Sequence, residues 1–394
     1  MGGSRFVGLS ERICSSLMKN LSVALLLDSA PRTWTSQEDI HLRLCQELRN
    51  RGARITLVFA GQIRDELAHR FREAGALIEV ANYNEGRFHY LKRLREIIKQ
   101  HGVSLVHVCF FDYFSAVPWL ARLSGAKHIL YEQLNSGELK ASSWKKQLIR
   151  VRGAMATYPA AQVIAISNFV KEQLVDCGVP SRKIIVRHLG VDTNRFFPDS
   201  EARRAWADDF QIQPEEIIVS TVSVLRPFKN PQTIVRACGL LAKRSVRFKL
   251  LVAGDGTMLT ELQKLAGEVG AADQIHWLGY CADPVNLLQA SDIFVLASTG
   301  EAFGLVLAEA MACGVAVVGS RSGAIPEIVN EGTTGLLVTP RDEISLADAI
   351  EKLSRDGRLR KEMAANSLAR VKEKFNLETD VENTLQIYGS VTRK

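Results

Sequence analysis

The chain has no Asp-x-Asp pair and no Cys-x-x-Cys, and its His, Cys and carboxylate residues do not gather along the sequence. The usual sequence signs of a bound divalent ion are therefore missing, and neither a metal nor a cofactor is expected. The seven cysteines (Cys14, Cys45, Cys109, Cys177, Cys238, Cys281 and Cys313) are odd in number and scattered. That excludes a disulfide framework and points to a reducing, cytoplasmic setting. No apolar run reaches the roughly 20 residues that span a bilayer, and Met1–Asn20 lacks the apolar centre of a signal peptide. Internal repeats and low-complexity tracts are absent too. Basic residues are not interleaved with aromatic stacking motifs, which argues against a nucleic-acid partner.

At 394 residues the chain exceeds what one hydrophobic core usually serves, so two domains are expected. Short apolar runs alternate with longer amphipathic stretches, the pattern of parallel β/α units. Strands are predicted in the first half at 22–27, 55–59, 77–80, 105–108, 128–131, 163–166 and 184–187. In the second half they are predicted at 217–222, 248–253, 275–278, 293–296, 316–319 and 335–338. Between the sets, Thr193-Asn194-Arg195-Phe196-Phe197-Pro198 reads as a linker with a proline stop. The expected division is an unstructured extension over 1–18, one domain over 19–195, a second over 196–378, and a helix over 379–394. Two doubly wound, Rossmann-like sheets joined by one linker would face each other across a cleft, a preferred place for ligands.

Charge is unevenly placed. Residues 1–200 carry 28 Lys and Arg against 18 Asp and Glu, and the remainder carries 22 against 25. The basic half calls for an anionic partner, such as a phospholipid surface or a phosphate-bearing acceptor.

Glu301 and Glu309 stand eight positions apart in Gly300-Glu301-Ala302-Phe303-Gly304-Leu305-Val306-Leu307-Ala308-Glu309-Ala310-Met311-Ala312-Cys313-Gly314. Residues 304–313 are apolar almost all round, so a carboxylate among them is expected to be buried, where it needs a partner. A solvated helix face, the bland alternative, conflicts with those flanks. An ionised carboxylate is acceptor-only and can take both hydroxyls of a ribose diol. Eight helical residues span about 12 Å, so the two carboxylates could hold opposite ends of a nucleotide-sugar.

The string from Glu301 to Gly314, followed by Gly323-Ala324-Ile325-Pro326-Glu327-Ile328-Val329, resembles the donor-site signature of family 4 retaining glycosyltransferases of GT-B fold. The strings at 163–171 and 190–198 resemble the same family's strand-to-helix exit and interdomain linker, and the likeness covers residues from about 20 to 390. It implies two Rossmann-like α/β domains and transfer of a sugar from a nucleoside-diphosphate donor to a hydroxyl acceptor with retention. It implies further that Glu301 grips donor sugar hydroxyls and Glu309 the ribose. The helix beginning near Phe303, Gly304 and Leu305 offers backbone N–H groups, and the backbone near Gly254, Gly256 and Tyr280 meets the nucleobase. In this architecture the C-terminal helix packs back on the first domain.

Arg226 and Lys229 follow a predicted strand, where open α/β sheets bind ligands, and together they can neutralise a departing diphosphate. The chain departs from the family at Val224, where an arginine is common, and at Asn230, where glycine usually follows the lysine. The first-domain loop Asp28–Glu38, which includes Ser36 and Gln37, lacks the family's Gly-Gly, and Tyr131-Glu132-Gln133 replaces a frequent histidine. Glu132, Ser36 and Gln37 are candidates on the acceptor side, with a plain loop carboxylate as the other reading of Glu132. A nucleotide-sugar epimerase of the same fold and a non-catalytic sugar-nucleotide-binding protein remain as alternatives. The acceptor class expected is a glycolipid or cell-surface glycan precursor, with peripheral contact at an anionic inner membrane face. Two basic stretches, 87–99 and 144–152, are its candidate contacts, through Lys92, Arg93, Lys145 and Lys146. The competing reading packs their apolar stripes on the sheet.

Overall fold

The protein was analysed as a computed structural model, which describes residues 18–109, 111–112, 114–135 and 143–393. The expected extension over 1–18 lies outside the described residues except for Met18, which is fully buried. The chain forms two compact units, one of Met1–His188 with Leu377–Lys394, the other of Leu189–Asn376.

The first unit holds seven strands: β1 (Ser22–Leu27), β2 (Arg54–Phe59), β3 (Ala76–Val80), β4 (Leu105–Cys109), β5 (His128–Gln133), β6 (Gln162–Ala165) and β7 (Ile184–Val186). Their order across the sheet is β3-β2-β1-β4-β5-β6-β7, with every neighbour parallel. Parallel strands require crossover helices, which cover both faces of the sheet. Hence β1, Ser-Val-Ala-Leu-Leu-Leu, is buried along its whole length. The second unit holds β8 (Ile217–Val222), β9 (Phe248–Ala253), β10 (Ile275–Gly279), β11 (Ile293–Leu296), β12 (Ala316–Ser320) and β13 (Gly335–Val338). Its order is β10-β9-β8-β11-β12-β13, again all parallel.

The division falls at His188–Leu189, seven residues before the predicted 195/196 boundary. The string predicted as a linker is apolar enough to join the second unit. Val191 donates its N–H to Phe375 O at 2.8 Å, Phe196 is buried, and Gln289 Nε2 holds Phe197 O at 2.9 Å. At the far end the chain re-enters the first unit as the helix Leu377–Thr392. Leu377, Val381, Leu385, Tyr388 and Val391 are among its buried residues, and it packs against the helix Ser36–Asn50.

That second helix corrects the reading of 28–38 as one loop. Thr35 caps it, accepting from Gln37 N, while Glu38 Oε2 takes the Thr35 N–H at 2.9 Å, a capping box. Ser36 is buried, and the half-buried Gln37 has its Nε2 3.3 Å from His41 Nε2.

Candidate active site

The carboxyl ends of β8, β9, β10 and β11 lead into the predicted donor residues. Between β8 and β11 the strand order reverses, the switch point at which open α/β sheets bind ligands. The loops at this edge are stitched to one another by backbone bonds. Leu225 N donates to Asp255 O at 2.9 Å, Thr299 N to Phe228 O at 2.9 Å, and Ala324 N to Glu301 O at 2.9 Å. The stitching demands small residues: a Cβ on Gly254 would lie 1.9 Å from Ser223 O, and one on Gly323 would lie 2.3 Å from Glu301 O.

Asn230 explains one departure from the family pattern. Its φ is +53°, a left-handed conformation that asparagine tolerates better than other side-chain-bearing residues. Its buried amide also ties β8 to β11, with Nδ2 donating to Ala297 O at 3.2 Å and Oδ1 accepting from Thr233 Oγ1 at 3.0 Å. Sequence reasoning passed over Asn230 as a binding element of the scaffold, although an Asn where glycine is usual is itself the signal.

Lys229 closes the short 3-10 turn Pro227–Lys229, and its Nζ meets Glu301 Oε2 at 2.6 Å. Both side chains are mostly buried, at 17% and 13% exposure, so the pair is less screened than a surface ion pair. An ammonium has three donors, and a single bond to Glu301 leaves capacity for phosphate oxygens. Arg226, which precedes the turn, is exposed at the same edge.

The helix begins at Leu305 and runs to Ala312, capped by Gly304 at φ +99°, so Glu301 stands in the loop before it. The left-handed Gly304 ends the helical geometry, and an eight-residue helical rise does not separate the carboxylates. Glu309 does lie inside the helix and is 7% exposed. Burial, and next the neighbouring Glu309, push the Cys313 thiol up to about 12. Leu305 opens the helix, and first-turn N–H groups have no partner within a helix. The Phe303 ring packs edge-on against Phe375 at 5.9 Å and is buried, so the ring is a core element and only its backbone can face a ligand. Gly254 N donates to Gly279 O at 2.7 Å, which sets the exposed Tyr280 beside the Gly254–Gly256 turn.

In the first unit Glu132 is not a loop carboxylate. It belongs to β5, is buried, and takes an Arg187 Nη2 bond on Oε1. Arg187 also donates from Nη1 to Asp380 Oδ1 and, at 2.9 Å, to Thr384 Oγ1 of the C-terminal helix. His107 Nε2 is 3.2 Å from Glu132 Oε2, His107 Nδ1 is 2.8 Å from Tyr388 OH, and Cys109 Sγ donates to Glu132 Oε2 at 3.3 Å. Thus a His, a Cys and a Glu do come together, contrary to the expectation drawn from their scatter in sequence. Burial pushes the Glu132 carboxyl up, but Arg187 and His107 outweigh it and hold it well below the usual carboxylate range.

His41 faces this network from the helix Ser36–Asn50. Burial, reinforced by His107 and Arg187 against the pull of Glu132, lowers it to about 4. A histidine that folds neutral contributes stability above its unfolded value near 6.5, lost as pH falls towards its folded value. Urea unfolding of the first unit should therefore weaken steadily between about pH 6.5 and pH 4, by up to roughly 3 kcal/mol. In His41→Asn the slope over that interval should flatten, and an unchanged slope would assign the acid sensitivity elsewhere.

Two family models match the chain, "Glycosyl transferases group 1" over residues 202–370 and "Glycosyltransferase Family 4" over residues 40–195. A Bacillus anthracis N-acetyl-alpha-D-glucosaminyl L-malate synthase is 31% identical over 231 residues, which is 59% of this chain and 60% of that protein. A Mycolicibacterium smegmatis GDP-mannose-dependent alpha-(1-6)-phosphatidylinositol monomannoside mannosyltransferase is 28% identical over 276 residues, 68% of this chain and 71% of that one. Among solved structures, Anabaena HepE in complex with UDP superposes with a TM-score of 0.80 at 19% identity, covering 94% of this chain and 100% of that one. At that identity the likeness speaks for the fold, the GT-B pairing of two doubly wound units.

Proposed function

The chain belongs to the group 1, family 4 glycosyltransferases, and from that premise we propose that it moves a sugar from a nucleoside-diphosphate donor to an acceptor hydroxyl with retention and without a metal. The observation that carries the reading is the 2.6 Å contact of Lys229 with Glu301 at the switch point, beside the N-terminus of a helix that buries Glu309. Lys229 and Arg226 neutralise the departing diphosphate, Glu301 accepts from the transferred sugar, and Glu309 accepts from the ribose. The backbone near Gly254, Gly256 and Tyr280 lies against the base. The protein's contribution is positioning and charge stabilisation, with the departing phosphate taking the acceptor proton.

A glycolipid or glycan precursor is the proposed acceptor, reached by peripheral contact with an anionic cytoplasmic membrane face. Support comes from the basic first half and from the name of the mycobacterial relative, whose acceptor is a phosphatidylinositol mannoside.

The roles of the two glutamates separate in binding. Glu309→Gln should weaken binding of the free nucleoside diphosphate about tenfold or more, the loss of a charged hydrogen bond. Glu301→Gln should spare that binding and lower turnover. Calorimetric titration with uridine, guanosine and adenosine diphosphates, followed by single-turnover transfer, reads both. Equal and unimpaired behaviour of the two variants would remove the assignment.

A further inference from the structure

The helix Ser143–Thr157 has its apolar stripe on the wrong side for a packing helix. Trp144, Leu148, Val151 and Met155 are spaced four, three and four residues apart, which places them along one line of the helix surface. All four are exposed, between 48% and 68%. The opposite line is held against the protein by Gly153: a Cβ there would lie 2.1 Å from Cys177 O, and one on Gly178 would lie 2.2 Å from Arg150 O. Backbone meets backbone on that side, so the helix cannot roll to bury its stripe.

The stripe continues onto neighbouring residues. Tyr158, 72% exposed, stacks on Trp119 with ring centroids 5.9 Å apart, and Trp119 Nε1 donates to Met155 O at 2.7 Å. Lys183 Nζ sits 5.5 Å from the Tyr158 ring. The helix carries Lys145, Lys146, Arg150 and Arg152 and no acidic residue, and Lys145 and Arg152 lie along one side of the stripe.

The other basic helix, Arg87–His101, differs. It buries Tyr90, Leu94, Ile97 and Ile98, and its Arg93 is bound to Glu79 at 2.5 Å and to Val80 O at 3.1 Å. Its stripe is packed on the sheet, and Arg93 is committed to the protein.

We propose that the face formed by Trp144, Leu148, Val151, Met155, Tyr158 and Trp119 is a docking surface for an anionic lipid bilayer. Tryptophan and tyrosine favour the interfacial layer, where an apolar ring and a polar edge are both satisfied. The helix lies along the headgroups with its stripe in the acyl boundary and its cations among the phosphates. A protein partner of the same shape would need carboxylates to answer four cations, whereas a bilayer supplies anions over its whole surface. The inference rests on the glycosyltransferase reading only in supplying a lipid-borne acceptor, and it narrows the membrane contact to one of the two basic helices.

Sedimentation of the full chain with phosphatidylcholine vesicles containing phosphatidylglycerol, and with phosphatidylcholine alone, tests it. Binding should require the anionic lipid and fall as salt is raised. Trp144→Ser with Leu148→Ser and Met155→Ser should lose binding about tenfold or more, and Lys145→Ser with Arg152→Ser should weaken the salt dependence. Lys92→Ser with Arg95→Ser, on the other helix, should leave binding unchanged. Nucleoside diphosphate affinity and melting temperature, measured on the same samples, should match wild type, and their loss would indict the enzymatic reading or the fold rather than the surface. The proposal is overturned if wild type ignores anionic vesicles at low salt, or if the stripe variant binds like wild type. It is also overturned if the chain is a dimer that the stripe variant converts to monomer.

Discussion

Lys229→Ala is expected to lower turnover about a hundred- to a thousandfold, the range for removing one preorganised group that stabilises transition-state charge. The lysine ends a 3-10 turn closed by Asn230, whose amide is bonded to Ala297 O. Its ammonium is therefore aimed by the fold before any ligand arrives, and little reorganisation accompanies the reaction. The same substitution leaves Glu301 without its cation, so donor affinity should fall too, but by less than turnover. Lys229→Arg keeps the charge with a different fork geometry and should recover only part of the rate. A chelator should change nothing in wild type if the two cations do the work of a metal. Single-turnover transfer with and without chelator checks both statements, and a Lys229→Ala rate within threefold of wild type would remove Lys229 from the chemistry.

The strands were legible because a parallel strand covered on both faces reads as an unbroken apolar run, as in β11 and in β1 from Val23 to Leu27. Ends were lost where the run turned polar. β5 continues through Glu132 and Gln133, both buried, because Arg187, 55 residues away, gives Glu132 a partner that no local window contains. Likewise the Thr35–Glu38 capping box was readable from Thr-x-x-Glu, yet the proline and polar residues before it suggested a longer loop.

The burial of Glu309 was legible for a different reason. A lone carboxylate in an apolar helix contradicts local expectation, and Glu309 does prove to be buried. The contact of Lys229 with Glu301 was not, because 72 residues and the β8–β11 adjacency lie between them. The burial of Glu132 was not legible either, because its counterion, Arg187, follows 55 residues later, and Asp380 stands 193 residues beyond that. Only the return of the C-terminal helix brings the three together.

That return is the subject of the second large effect. Arg187→Met should destabilise the first unit by about 3–5 kcal/mol, the usual consequence of stripping the cation from a buried ion network. Glu132 and Asp380 would both lose their strongest partner inside a core where their side chains are 3% and 1% exposed. The helix Leu377–Thr392 should loosen first, since Arg187 is bonded to it at Asp380 and Thr384. Hydrogen exchange over that helix, with urea unfolding alongside, measures the effect. Acid should narrow the gap between variant and wild type. In wild type the depressed Glu132 carboxyl contributes stability that is complete above its unfolded value and lost as pH falls towards its folded one. In the variant, His107 opposes burial without the help of Arg187, so Glu132 protonates earlier and the unpaired charge disappears. Replacing all three charges, as Arg187→Met with Glu132→Leu and Asp380→Leu, should restore most of the lost stability, because an apolar cluster can fill a site where charges must otherwise be matched. If the triple variant is as unstable as Arg187→Met, the loss comes from packing around the arginine stem, and the carboxylates are not what the guanidinium holds in place.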